Sequence, residues 1–271
     1  MKTTKKEQEK GPDGPRILFL DIETAPDVAY VWGVYQENAI AIHEHWYVLS
    51  YAYRWRGEKR IICRGLDDFP GYKGGNSTER KLIAEVRDLL DQADIVVAHN
   101  GADFDVRKLN ARMIDLKFTP PSPYKVVDTK RDLTKVAKFS SNRLNWLGKQ
   151  LGIGQKTMEH HDWAMWSGCM KGDKKCWSEM KVYNTHDIEL LEQLYDRLAP
   201  WIPQPNAQLW ASGKPRCVNP ACSSRVMNGN GTYPAASRIY QRYLCPSCGA
   251  SARSVKSTGG VTMTPTPRKY S

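Results

Sequence analysis

Short apolar runs alternate along the chain with stretches whose apolar residues recur at helical spacing. Residues 17–22 (Ile-Leu-Phe-Leu-Asp-Ile) are almost wholly apolar, with an acid near the end of the run, which predicts a buried central strand. Residues 48–55 and 59–64 predict two more strands, separated by a turn at Gly57. Leu82, Ile83, Val86, Leu89 and Leu90 then follow helical spacing behind the capping candidates Ser77 and Thr78. Residues 95–98 predict a further strand that runs into His99 and Asn100. A helix over 104–116, an edge strand over 124–127, and helices over 141–151 and 177–198 complete the pattern. Three early strands followed by alternating helices and strands predict an α/β domain, a mixed sheet flanked by helices.

The punctuation of the chain divides it. Residues 1–14 are Lys-rich and end in Gly11 and Gly14, the composition of a disordered basic arm. The α/β domain is expected over 15–202, because prolines at 200–205 close the last helix. A polar linker over 203–214 leads to a small module over 215–256, and 257–271, with two Thr-Pro steps, reads as a flexible tail.

Charge sharpens this division. The net charge of +11 points toward a polyanionic partner. From Trp201 onward there are nine Lys or Arg and no Asp or Glu, which leaves 31 bases against all 29 acids upstream. The long N-terminal part is thus nearly neutral and the C-terminal quarter strongly basic. No apolar run approaches the roughly 18 residues that a membrane span needs, and the basic N-terminus leads into no signal-peptide core. A cytoplasmic protein without a membrane partner is the expectation.

Three sets of polar residues sit where chemistry is often placed. Asp21 and Glu23 are two residues apart at the end of the first strand, so they share a face. Carboxylates converging there repel, and a cation relieves the repulsion, although a strand running into a polar turn gives the same pattern. Asn100, Phe104 and Asp105 follow the strand over 95–98, where an acid can face the cleft at the sheet's carboxyl edge or simply favour a helix start. The helix-start role suits Asp103. Tyr183 and Asp187 are four residues apart, on one face of the last helix beside the apolar stripe of Ile188, Leu191 and Leu194.

Taken together, Asp21-Ile22-Glu23-Thr24, the Asn-x-x-x-Phe-Asp of Asn100 to Asp105 and the Tyr-x-x-x-Asp of Tyr183 to Asp187 resemble a known family. It is the tyrosine-type (DEDDy) 3′–5′ exonucleases of the ribonuclease-H-like superfamily. The likeness spans residues 17–201 and is greatest to phage-type exonucleases and to the proofreading domains of family B polymerases. It implies a ribonuclease-H-like sheet and two Mg²⁺ or Mn²⁺ ions held by Asp21, Glu23, Asp105 and Asp187. Asp21 would bridge both ions, Glu23 and Asp187 would complete the one on the nucleophile side, and Asp105 would support the other. Tyr183 would orient the attacking water. The implied reaction is phosphodiester hydrolysis at a DNA 3′ end, and a phage protein acting in the cytoplasm of a bacterial host is one setting that the resemblance suggests. An exoribonuclease remains an alternative, since nothing in these motifs reads a 2′-hydroxyl. So does a non-catalytic binding or adaptor protein on a nuclease fold.

The C-terminal module carries its own signal. Cys217-x4-Cys222 and Cys245-x2-Cys248, the latter followed by Gly249, have the layout of a zinc ribbon with one structural Zn²⁺ on four thiolates. Two disulfides are the alternative and would suit a secreted protein. Arg225, Arg238, Arg242 and Arg253, with Tyr233, Tyr240 and Tyr243, suit phosphate contact and base stacking. They equally suit solvated arginines around a small tyrosine core. Cys63, Cys169 and Cys176 lack paired spacing and read as structural thiols. His160, His161, Trp163 and Trp166 could line a substrate cleft or pack a loop onto the core. Lys156 and the lysines over 171–175 could meet phosphate or solvent; Asp128 reads as a helix cap, with a catalytic role as the alternative because it matches an acid often seen in the family.

Overall fold

The computed structural model describes residues 14–33, 35, 38–154, 163–211 and 216–263. Two compact units result, one of residues 16–198 and one formed by the described parts of 1–15 and 199–271.

In the first unit the chain runs β1 (Ile17–Thr24), β2 (Val28–Tyr30), β3 (Ala41–Glu44), β4 (Val48–Trp55) and β5 (Ile62–Gly65). It continues through α1 (Glu79–Gln92), β6 (Ile95–Ala98), α2 (Asp105–Asp115), β7 (Lys125–Asp128), α3 (Thr129–Thr134), α4 (Leu144–Leu151), α5 (Trp163–Lys171) and α6 (Lys174–Leu198). Five strands form a mixed sheet in the order β5-β4-β1-β6-β7. β4 pairs antiparallel with both β1 and β5, the latter after a short turn, whereas β6 and β7 lie parallel to β1 and are reached through α1 and α2. β1 is the central strand, which explains why Ile17 to Leu20 are all apolar and buried.

The register of β1 opens the sheet at one end. β1 pairs with β4 from Leu18 to Thr24 but with β6 only from Ile17 to Phe19. Its carboxyl end therefore outruns β6, leaving a gap at the point where the chain leaves the sheet in two directions. In open α/β sheets such a point is where ligands bind.

Helix α6 crosses the sheet and contacts β1, β4 and β5. Its buried residues, among them Trp177, Met180, Tyr183, Asn184, Asp187, Leu191 and Leu194, recur every three or four positions as a single stripe. Arg54 and Arg56 of β4 and its turn pair with Glu192 and Asp196 on the helix's outer flank. Glu79, at the start of α1, is almost fully buried and accepts both the Val48 N–H (2.8 Å) and the Arg112 guanidinium, so one carboxylate ties α1, β4 and α2 together.

Several elements depart from the sequence pattern. The third strand is shorter than the 59–64 run suggests and begins at Ile62. β2 and β3 form a separate two-stranded ribbon whose residues are all exposed, so no buried face marks it in the sequence. α3 is only six residues long, below the length at which periodicity can be read. Trp166 packs into the core on α5 whereas Trp163 is exposed; His160, His161 and Lys156 lie outside the described residues. Cys169 is buried, and burial pushes its thiol and that of Cys63 up to about 12, far from the reactive thiolate.

The second unit holds β8 (Asn228–Ala235), β9 (Arg238–Leu244) and β10 (Ser251–Gly260), an antiparallel sheet in the order β10-β9-β8. β10 includes Ser257 to Gly260, assigned from composition to a flexible tail. These residues pair with β9, Ser257 opposite Tyr240 and Gly260 opposite Arg238. Backbone pairing needs no side chain, so composition gave no sign of it. The polar segment over 203–214 likewise contains a 3-10 turn at Ala207–Trp210, capped by the Asn206 side chain and joined to Val218 by the Ala207 N–H (2.9 Å). No helix among the described residues is long and apolar enough to cross a membrane.

Candidate functional site

At the carboxyl end of β1 a cleft of about 790 Å³ is lined by Asp21, Glu23, Asp105, Tyr183 and Asp187. Alternation along β1 turns Asp21 and Glu23 to one face and buries Ile22 on the other. α6 crosses that face and brings Asp187 to them, so that carboxylate oxygens of Asp21, Glu23 and Asp187 all lie within 4.8 Å of one another.

Asp105 lines the same cleft but is not part of this three-way cluster. It is the first residue of α2 and only 2% exposed, and its Oδ1 accepts the Ile22 N–H at 3.1 Å. That N–H points into the gap left where β6 stops pairing with β1, and Asp105 fills the place of the missing strand. Burial is the main force raising the Asp105 pKa, opposed by this hydrogen bond and by its own backbone N–H; the neighbouring Asp128 carboxylate raises it further.

The turn that delivers Asp105 is tight. Asn100 adopts a left-handed conformation (φ 70°), which asparagine tolerates better than most residues. Gly101 comes next, and a Cβ there would lie 2.2 Å from the Ala98 Cβ, so only glycine fits. The buried Asp128 holds this turn by accepting the N–H groups of Asn100 and Ala102, and it caps α3 by accepting those of Lys130 and Arg131. His99 bridges to the opposite wall through Thr129 Oγ1 and the Asn142 carbonyl, each at 2.9 Å.

Tyr183 is 3% exposed and stacks edge-on against Trp166, with ring centroids 5.8 Å apart. Burial raises its pKa first, and the carboxylates of Asp187, Glu23 and Asp21 raise it further. The phenol therefore keeps its proton at neutral pH. Lys130 of α3, Arg143 just before α4 and Lys149 of α4 also line the cleft, with the rings of Phe104 and Trp146. Cationic and aromatic side chains thus stand beside the carboxylates in one cleft.

One residue of this arrangement occupies an unspecified position of the third motif. Asn184 is fully buried, donates from Nδ2 to Asp21 Oδ2 at 2.6 Å, and accepts the Ser50 hydroxyl at 3.1 Å. It fixes the orientation of Asp21 from the helix behind it. The available signal was a polar residue on the buried stripe of an amphipathic helix, where an amide needs a partner.

In the second unit the Sγ atoms of Cys217, Cys222, Cys245 and Cys248 also lie within 4.8 Å of one another. Cys217 and Cys248 are 3.6 Å apart and Cys222 and Cys245 3.9 Å. A tetrahedral ion bound at roughly 2.3 Å would space its four sulfurs by about 3.8 Å, so this set fits such an ion. The four cysteines are not disulfide-bonded. Backbone N–H groups of Asn219 and Ser224 point at Cys217 and Cys222, the arrangement that supports thiolate charge.

No curated protein matches the chain. Among solved structures, a family B DNA polymerase from the hyperthermophilic archaeon Pyrobaculum calidifontis is similar at 16% identity with a TM-score of 0.49. The likeness covers 71% of this chain and 26% of the polymerase chain. A family model for the RNase H superfamily matches residues 18–199, which takes in nearly the whole five-stranded sheet and all of the carboxylate cleft. The chain belongs to the RNase H superfamily.

Proposed function

We propose that the protein is a metal-dependent 3′–5′ exonuclease acting on DNA, with a zinc ribbon as a second, nucleic-acid-binding module. The observation that carries the reading is the convergence of Asp21 and Glu23 from β1 with Asp187 from α6 in the cleft that Asp105 and Tyr183 also line. Oxygen donors within 4.8 Å of one another suit a hard cation bound at roughly 2.0–2.4 Å from each, the ligand chemistry of Mg²⁺ or Mn²⁺. Asp21, Glu23, Asp187 and Asp105 would hold two such ions, which when bound supply an activated water and stabilise the leaving 3′ oxygen.

The protein's own groups have distinct tasks. Asn184 keeps Asp21 in one orientation. Tyr183, held protonated, donates a hydrogen bond toward the attacking water and keeps it in line with the scissile bond. Lys130, Arg143 and Lys149 meet the phosphates, and Phe104 and Trp146 offer ring faces to terminal bases. Cys217, Cys222, Cys245 and Cys248 would hold one structural Zn²⁺ and give the second unit a folded core.

The test is incubation of 5′-labelled single-stranded DNA and RNA with the purified protein in Mg²⁺, Mn²⁺ or EDTA, resolved on a sequencing gel. A metal-dependent ladder shortening from the 3′ end of DNA is the expected result. A ladder on RNA alone would reassign the substrate, and binding without cleavage would make the protein a non-catalytic member of the fold.

A further inference from the structure

Most residues of the second unit's sheet are exposed. The buried cluster around the unit's cysteines is Cys217, Cys245 and Ala250, with Val218, Cys222, Met227 and Cys248 packed against it, and contains no tyrosine. The tyrosine rings lie outside this cluster: Tyr233 is 45% exposed, and Tyr240 and Tyr243 are half-buried.

The register sorts the side chains. β9 runs without a bulge, so Arg238, Tyr240 and Arg242 share one face, spaced about 6.8 Å apart along the strand. Cross-strand partners share a face too, which adds Tyr233 of β8, opposite Tyr240, and Arg253 of β10, opposite Arg242. The Arg253 guanidinium lies 4.0 Å from the Tyr240 ring centre and 5.9 Å from that of Tyr233. Tyr243 faces the other way, into a cavity beside Val226, Met227 and Ala250.

We infer that the face bearing Tyr233, Tyr240, Arg238, Arg242 and Arg253 binds single-stranded nucleic acid, with unpaired bases on the aromatic and guanidinium surfaces and phosphates on the arginines. The inference rests on the reading of the second unit as a nucleic-acid-binding module and specifies which face and which strand state. Charge complementarity selects the occupant, because residues 201–271 carry nine bases and no acid. The rings select the strand state, because a base within a duplex is already stacked and cannot offer its π-face to a side chain.

Fluorescence anisotropy of the zinc-loaded full-length protein, without Mg²⁺ or Mn²⁺ so that the probe stays intact, tests this. The probes are a fluorescein-labelled oligo-dT and a hairpin duplex of equal length. Single strand should bind more tightly than duplex. Tyr233→Ala and Tyr240→Ala should each weaken it by about fivefold or more, and Tyr233→Phe and Tyr240→Phe should restore it. Arg238→Ala should lower the slope of log affinity against log salt by about 0.7. Zinc content, measured on every variant, identifies loss of fold, and the phenylalanine variants keep the test valid if an alanine variant loses zinc. Wild-type protein that binds neither probe would overturn the module reading itself. Wild-type protein that binds while all tyrosine variants bind equally well would overturn this face alone, as would a preference for duplex.

Discussion

Replacing Asp128 with alanine removes one fully buried carboxylate and four hydrogen bonds at 3.0 Å. The four donors are not equivalent. Those of Lys130 and Arg131 are the first turn of α3, and loss of such a cap costs about 1 kcal/mol. Those of Asn100 and Ala102 belong to the tight turn between β6 and α2, and each such donor left unsatisfied when buried costs about 1–3 kcal/mol. Relief from burying the carboxylate offsets part of this, so the net expectation is a loss of about 3–5 kcal/mol. All helices of eight or more residues among those described lie in the first unit, so helical circular dichroism during urea unfolding reports on it. Because the same turn positions Asp105, activity on a nucleic-acid substrate should fall under conditions where the variant is still folded. Asp128→Asn, which keeps one acceptor oxygen, should lie between wild type and Asp128→Ala. A loss below about 1 kcal/mol for Asp128→Ala would refute the argument that this carboxylate holds the turn.

Three further outcomes are expected from the geometry. Asn184→Leu should remove the Nδ2 hydrogen bond to Asp21 and raise the Mn²⁺ concentration for half-maximal hydrolysis about 10–100-fold, with the helical signal retained; unchanged metal dependence would remove Asn184 from the site. Gly101→Ala should destabilise the first unit by about 1–3 kcal/mol in the same urea assay, because its Cβ would fall 2.2 Å from that of Ala98. A strong zinc chelator should expose residues 216–263 to protease and leave residues 16–198 resistant; equal resistance with and without chelator would contradict metal-dependent folding of the second unit.

What the sequence could convey depended on whether the cause of a feature is local. β1 was legible because burial on both faces forces an apolar run and the two acids interrupt it at its end. The stripe of α6, and Tyr183 and Asp187 on it, were legible because helical spacing repeats within a few residues. Asn184 was not, because its partners Asp21 and Ser50 come from strands more than 130 residues away. The hold of Asp128 on the Asn100 turn was equally hidden, although its capping of α3 was readable from position. The exposed β2–β3 ribbon and the extension of β10 to Gly260 rest on backbone pairing, which leaves no hydrophobic pattern. The offset of Asp105 from the other three carboxylates depends on where β6 stops pairing with β1, a matter of register that spacing does not encode.

Mn²⁺ binding to the zinc-loaded protein, followed by electron paramagnetic resonance, tests most directly whether the clustered carboxylates of the first unit hold the catalytic cations. The wild-type protein should bind Mn²⁺, and Asp21→Ala and Asp187→Ala should each lose most of that binding while keeping the wild-type helical signal and zinc content. Wild-type Mn²⁺ binding in both folded variants would contradict the account.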